Sequence, residues 1–268
     1  MRMIDSKAID IARCGAAPRV CAALLLAAVA GCALRSQAAD PAADAKSAPR
    51  ADSAEKSSPP TLTGRVVLKR TPPKRRIVNM SKDANCIKLH KGEPVLDEDL
   101  IVSADGGVKN AFVYVRRGAP EGDYPPPESP AILDQKGCMY HPRVQGVLVG
   151  QKVLVGNGDP VTHNVRSFPV LNRPFNFGQP PDTEPRERVF DKPEREIEVQ
   201  CDFHPWMHAY IFVMDHPFFA VTADDGTYAI PGLPPGEYTL AIWHEKLGRK
   251  QQTVTIDKSG QAELNFAY

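Results

Sequence analysis

Proline and glycine interrupt this chain so often that long helices are excluded. The 268 residues include 26 prolines and 19 glycines. Proline fixes φ and removes a backbone donor, and glycine weakens any regular element it enters. Between the breaks lie short runs of alternating, β-branched and aromatic residues, the pattern of strands joined by turns. Thr63-Gly64-Arg65-Val66-Val67-Leu68 and Asn110-Ala111-Phe112-Val113-Tyr114-Val115 are two such runs. Tyr124-Pro125-Pro126-Pro127 and Gln179-Pro180-Pro181 read as surface loops. The expected fold class is all-β. With 42% hydrophobic residues the chain can pack a core, and its length allows one large domain or two small ones. The net charge of +1 gives no basic field of the kind nucleic-acid binding uses, so no nucleic-acid partner is expected. No apolar run is long enough for a multi-span membrane protein.

The amino terminus reads as targeting. Residues 1–32 combine basic Arg2, Lys7, Arg13 and Arg19 with an apolar stretch from Val20 to Ala30. That stretch is short for a span and fits a secretory signal. It ends in Val29-Ala30-Gly31-Cys32, which resembles a bacterial lipobox. The resemblance implies acylation of Cys32, which makes a lipid anchor the one membrane contact. Cleavage after Ala38 is the other reading, and both export the chain, to the periplasm or the outer membrane. Residues 33–60 are almost all Ala, Ser, Pro and charged, with Leu34 the one large apolar side chain. Such a stretch cannot bury enough surface to offset its ordering entropy and reads as a disordered tether. Lys69, Arg70, Lys74, Arg75 and Arg76 form a basic run, and Glu93, Asp97, Glu98 and Asp99 an acidic one. Solvated loop charge is the plain reading of both, with a docking surface for a redox partner beside it.

Of the 6 cysteines, Cys14 and Cys21 fall in the leader and Cys32 at its end. Cys86, Cys138 and Cys201 remain, an odd number for an oxidising compartment. The natural partition is a Cys86–Cys138 disulfide, both cysteines sitting in loop-like contexts, and one special thiol at Cys201. Ligation of a metal by Cys138 and His141 is the alternative.

That special thiol opens Cys201-Asp202-Phe203-His204-Pro205-Trp206-Met207-His208. Thiolate, imidazole and thioether side chains can converge from one tight loop, and thiolate with thioether suits copper. A further donor must come from elsewhere. Upstream, a strand and a polar turn (Gly156-Asn157-Gly158-Asp159-Pro160) lead into His163-Asn164-Val165. The pair of segments resembles the copper site of the cupredoxins, the plastocyanin and amicyanin-like blue copper proteins. The resemblance is strong over residues 144–215 and weaker over 61–143. It implies a Greek-key β-sandwich holding one type 1 copper ion. His163, Cys201 and His204 would be the equatorial ligands and Met207 the weak axial one. Asn164 would tie the two ligand loops together, Pro205 restrict the loop, and Trp206 shield the metal. His208 could replace Met207. A binuclear copper site is not expected, because this loop lacks the second cysteine such a site uses.

From Phe218 onward the pattern changes. Phe219–Thr222, Thr227–Ile230, Tyr238–Trp243 and Gln252–Ile256 read as strands, separated by Asp224-Asp225-Gly226 and Leu233-Pro234-Pro235-Gly236 turns. This run resembles the carboxypeptidase regulatory-like (transthyretin-like) β-sandwich module. His244-Glu245 reads as a structural turn rather than a metal pair. The expected division is 1–32 leader, 33–60 tether, 61–216 copper domain and 217–268 β module, although the first strand could belong with the last module. The implied function is one-electron transfer by an exported copper protein, not an enzyme, working with an unidentified redox partner. The edge of His204 would be the exit route. A non-catalytic copper- or carbohydrate/cell-surface-binding module and a subunit of a copper oxidoreductase are the alternatives.

Overall fold

The computed structural model describes residues 61–268. The expected leader, its Cys32 anchor, the alternative cleavage after Ala38 and the 33–60 tether lie outside the described residues. In chain order the elements are β1 (Thr61–Val67), α1 (Ala84–Leu89), β2 (Phe112–Arg117), β3 (Ala131–Lys136), β4 (Met139–His141), β5 (Val144–Leu148), β6 (Lys152–Val155), β7 (His163–Phe168) and β8 (Asn176–Gln179). They continue with β9 (Arg186–Val189), β10 (Glu194–Gln200), β11 (His208–Met214), β12 (Phe219–Val221), β13 (Thr227–Pro231), β14 (Gly236–His244), β15 (Gly248–Ile256), β16 (Gln261–Glu263) and β17 (Phe266–Ala267). The fold class is all-β, with α1 the single helix among the described residues.

The strands form two sandwiches. In the first, the sheet β5-β11-β10-β7-β8 faces the sheet β4-β3-β6-β9. Leu133, Tyr140, Val147, Val153, Val165, Ile197 and Ile211 fill its core. In the second, β13-β1-β16, with β17 also on β1, faces β12-β2-β14-β15. Its core holds Leu62, Val66, Val113, Val115, Ile230, Leu240 and Ile242. β1 pairs with β13, β16 and β17, and β2 lies between β12 and β14. The first two strands thus share sheets with the carboxy-terminal strands, and a boundary at 216/217 passes between paired strands. Gly64 permits the close approach on β1, where a Cβ would meet the Leu264 carbonyl oxygen at 1.9 Å.

The sandwiches join because two strands are apolar on both faces. Strand side chains alternate sides. In β2, Val113 and Val115 enter the second core while Phe112 and Tyr114 point the other way. In β11, Ala209, Ile211 and Val213 enter the first core while Phe212 and Met214 point out of it. The two outer sets meet with Trp243, and the Phe112 and Phe212 rings stack at 3.9 Å. Beside this seam the buried Arg143 guanidinium donates to both oxygens of Glu245, at 2.5 and 2.8 Å, and to Asp99 at 2.9 Å. Glu245 therefore serves this buried ion pair. Its neighbour His244 is buried too, with Nδ1 accepting the Lys246 N–H.

The cover over the first sandwich was not legible as structure. Cys86, expected in a loop, lies on α1. Asp83 caps that helix, accepting the Asn85 N–H at 2.8 Å. Cys138, expected in a loop, does lie in a turn, the two-residue connection between β3 and β4.

His244 supplies a pH test of this architecture. Burial first, then the nearby Arg143 and Lys246 charges, push its pKa down to about 4. The unfolded imidazole protonates near its ordinary value, so stability is complete above about pH 6.5 and is lost as the pH falls toward 4. The expected loss is about 2–3 kcal/mol at pH 4.5. His244→Gln should remove that part of the loss. Urea unfolding at pH 7 and pH 4.5 checks it, and an identical pH dependence in variant and parent contradicts the assignment.

Candidate metal centre

The site is assembled from a hairpin turn, a strand start and one loop. Lys136 pairs with Met139, which leaves Gly137 and Cys138 as a two-residue turn with φ of 62° and 54°. Left-handed conformations at both positions match the right-handed twist of a hairpin. Both turn N–H groups donate to Asp159, Gly137 to Oδ1 and Cys138 to Oδ2, each at 2.7 Å. The same Oδ2 lies 2.9 Å from Nε2 of His163, the first residue of β7. One carboxylate therefore fixes both the Cys138 turn and the His163 ring.

The loop between β10 and β11 closes on itself. The Met207 N–H donates to the His204 carbonyl at 2.9 Å, and the Cys201 N–H to the Met207 carbonyl at 3.3 Å. Asn164 joins this loop to β7. Its amide nitrogen donates to Asn176 at 2.8 Å and to the Asp202 carboxylate at 3.0 Å, and its carbonyl accepts the Asp202 N–H. The Asn164 backbone N–H donates to the Cys201 sulfur at 3.4 Å. Tyr140, fully buried, donates to the Asn164 backbone carbonyl at 2.6 Å.

His163, Cys201 and His204 converge, with one donor atom from each within 4.8 Å of the others, and all three are buried. Nδ1 of His204 lies 2.9 Å from Nδ1 of His163 and 3.6 Å from the Cys201 sulfur. On the far side, Nε2 of His204 lies 3.1 Å from Asp83 Oδ2 and 3.5 Å from the Cys86 sulfur. A carboxylate only accepts, so each ring directs an Nε2 proton outward, and Nδ1 of both rings faces inward, where it is the atom a metal ion would take. Two nitrogens bound to one ion at about 2.0–2.1 Å stand about 3.3–3.6 Å apart, and nitrogen and sulfur about 3.6 Å apart. The Cys201–His204 separation already matches, and the two imidazoles need to part by about half an ångström. The donor set of two imidazoles and a thiolate fits copper.

The remaining expected residues are placed as follows. Met207 is fully buried in the first core. The half-buried Trp206 donates to the Cys138 carbonyl at 3.0 Å, and its ring is tilted 5.1 Å from that of His204. Pro205 is exposed. His208 turns away, with Nδ1 3.0 Å from Glu198 and Nε2 2.8 Å from the Pro205 carbonyl. Cys86 and Cys138 form a disulfide, with Cα atoms 5.8 Å apart. His141 instead reaches the Lys136 carbonyl at 3.2 Å, which removes the Cys138–His141 alternative. The exposed edge expected of His204 is absent: the residue is 2% exposed, covered by Asp83, Cys86 and Trp206. Asp159 was visible only as part of a polar turn four residues before His163. Asp83 carried no signal, because its contact with His204 spans 121 positions.

The electrostatics follow from these bonds. Burial raises the Cys201 thiol, but hydrogen bonds from His204 and from backbone N–H groups outweigh it and hold the thiol below its usual range. Burial lowers His204, yet Cys201 and Asp83 together bring it above the ordinary imidazole value. The His204 hydrogen bond depresses Asp83. Burial raises Asp159, and its bonds to His163, Cys138 and Gly137 more than reverse that. These bonds shift Cys201 toward the thiolate and Asp83 and Asp159 toward the carboxylate.

No family model matches the chain, and no curated protein matches it. Solved structures that resemble it include the Cu-containing nitrite reductase (NirK) from Thermus scotoductus SA-01, 22% identical, with a TM-score of 0.30. That match covers 38% of this chain and 25% of the reductase, so the chain spans about a quarter of that protein's length. A purple cupredoxin from Nitrosopumilus maritimus is 25% identical over 31% of this chain and 99% of its own, with a TM-score of 0.27. A Cu(I) amicyanin variant is 17% identical over 38% of this chain and 98% of its own, with a TM-score of 0.28. Likeness at this level leaves the reading of the site to its own geometry.

Asp159→Asn tests the clamp. An amide retains one accepting oxygen, so a turn N–H or the His163 ring is left unsatisfied, at a cost of about 1–3 kcal/mol. Chemical denaturation of the metal-free protein should show that loss. An unchanged midpoint would mean that Asp159 does not hold the site.

Proposed function

We propose that this chain is an exported one-electron carrier that holds a single type 1 copper ion on His163, Cys201 and His204, with Met207 as the weak axial donor. The observation that carries the reading is the convergence of two Nδ1 atoms and a thiol sulfur in a buried site. Copper bound there would alternate between Cu(I) and Cu(II), exchanging one electron without a proton or an atom. The protein's task is then to hold the same geometry in both states. Asp159 and Asp83 fix the two rings from behind, and Asn164 fixes the ligand loop to β7. Tyr140 and the apolar residues of the first core keep water out.

The route outward runs through Trp206, since the His204 edge is covered. The indole lies against the His204 ring and is half-exposed beside Pro205. An unidentified redox protein docks there. The buried Cys86–Cys138 disulfide supports export, because such bonds persist in oxidising compartments. Placement in the bacterial periplasm or as an outer-membrane lipoprotein through Cys32 completes the proposal. Among the described residues no helix is long and apolar enough to cross a membrane.

Metal analysis with a visible spectrum of the oxidised protein tests this directly: one copper per chain and an intense thiolate-to-Cu(II) band are expected. Cys201→Ala should abolish the band, and a colour that survives would refute the ligand assignment. Met207→Leu should keep the copper and raise the reduction potential, read by redox titration, because the donor that favours Cu(II) is gone. A Met207→Leu protein that no longer binds copper contradicts a weak axial role.

A further inference from the structure

His204 belongs to two buried donor groups, one with His163 and Cys201 and another with Cys86 and Cys138. Its nitrogens divide between them. Nδ1 faces His163 and Cys201, whereas Nε2 faces Cys86 at 3.5 Å and Asp83 at 3.1 Å. Cys138 also shares a third group with Asp159 and His163. The disulfide therefore sits directly behind the rings that the proposed copper site uses. Disulfide sulfurs are poor ligands, but the same two atoms as thiolates are soft donors that select Cu(I). Two sulfurs, one imidazole nitrogen and a nearby carboxylate would then surround one point.

We infer that reduction of the Cys86–Cys138 disulfide creates a second Cu(I) site, formed by both sulfurs and Nε2 of His204, with Asp83 beside it. An external dithiol supplies the two electrons and two protons. Thiol exchange breaks the Cys86–Cys138 bond, leaves two thiols, and converts the dithiol to its own disulfide. Cu(I) binding then releases two protons to water, one from each thiol; the His204 Nε2 proton also leaves to water when Nδ1 already holds an ion, and moves to Nδ1 when the first site is empty. With both ions bound, one imidazole bridges the two sites. Both cysteines are fully buried, so the dithiol reaches them only when the α1 cover lifts. Metal capacity thereby becomes dependent on the thiol redox state, with α1 as the moving part. The inference goes beyond electron transfer and does not need the first ion to be present.

The experiment uses the full chain with Cys14→Ser, Cys21→Ser and Cys32→Ser, so that leader thiols bind nothing. The protein is treated anaerobically with excess dithiol until thiol titration finds two more thiols per chain. The dithiol is then removed and the protein titrated with Cu(I) against a chromogenic Cu(I) chelator. One Cu(I) is expected before reduction and two after it. In a Cys201→Ala background the expectation is loss of the first equivalent and retention of the one that appears on reduction. An equal number before and after reduction overturns the inference. So does a disulfide that resists the dithiol in the folded chain, and so does a loss of near-ultraviolet circular dichroism that Cu(I) does not restore. If the oxidised protein binds no copper yet the reduced protein gains one, the electron-carrier reading fails while this one stands.

Discussion

Two imidazoles turned Nδ1 to Nδ1 inside a protein core are the constraint on which the rest of the site depends. Neutral rings present one donor and one acceptor, and nothing intrinsic selects which nitrogen faces inward. Here carboxylates on the outer sides decide it, Asp159 for His163 and Asp83 for His204. With Nε2 of each ring committed outward, both Nδ1 atoms and the Cys201 sulfur face one another, and a metal ion there would take the place of the proton that His204 shares with that sulfur. Each carboxylate is itself held by backbone. Asp159 takes the N–H groups of the Gly137–Cys138 turn, and Asp83 takes that of Asn85 as it caps α1. Ring orientation is thereby transferred to a hairpin and a helix start, elements whose geometry is set locally.

The surrounding packing makes this arrangement rigid. β11 leaves the ligand loop and is apolar on both faces, so a shift of the loop disturbs the first core and the seam with the second sandwich together. The Phe112–Phe212 stack and the Arg143–Glu245 pair lock that seam. Gly146 on β5 shows how tightly it closes, since a Cβ there would come within 2.3 Å of the Phe219 ring. Breaking the Arg143 cluster by removing one partner would leave a buried charge uncompensated, which costs far more than the pair itself contributes. On the copper reading, a centre that must not rearrange between two charge states benefits from such a frame.

What the sequence disclosed and what it hid divide along contact distance. Strands were legible because alternation is local, and β12 to β15 fall where the apolar runs and the Asp-Gly and Pro-Pro-Gly turns put them. The Cys201–Met207 loop was legible because its donors lie within seven residues. The cover was not. Six residues of helix carry no readable periodicity, and the partners of Asp83 and Cys86 on His204 lie more than 100 positions away. The fold brings Cys86 and Cys138 to His204 from the opposite sheet and its cover. The pairing of β1 with β13 was likewise visible only as an open alternative, since a strand's apolar face does not name its neighbour.

The cover changes the energetics as well as the access. On the copper reading, the Cys201 thiolate and the Asp83 and Asp159 carboxylates place three formal negative charges around the rings, in surroundings of low dielectric. Such charges are costly unless matched, and backbone N–H groups match them only in part. A divalent ion leaves a smaller uncompensated charge than a monovalent one, so the carboxylates favour the oxidised state. The apolar wall of the first core acts in the other direction, because burial favours the state of lower charge at the ion itself. Asp83 is the adjustable member of this balance. It lies at the start of α1, which with Trp206 closes the site from outside, and its carboxylate is a quarter exposed where that of Asp159 is almost wholly buried. Displacement of α1 would remove one negative charge and one ring constraint together. At His204, cover, charge and ring orientation are therefore not separate features but consequences of how one short helix is placed.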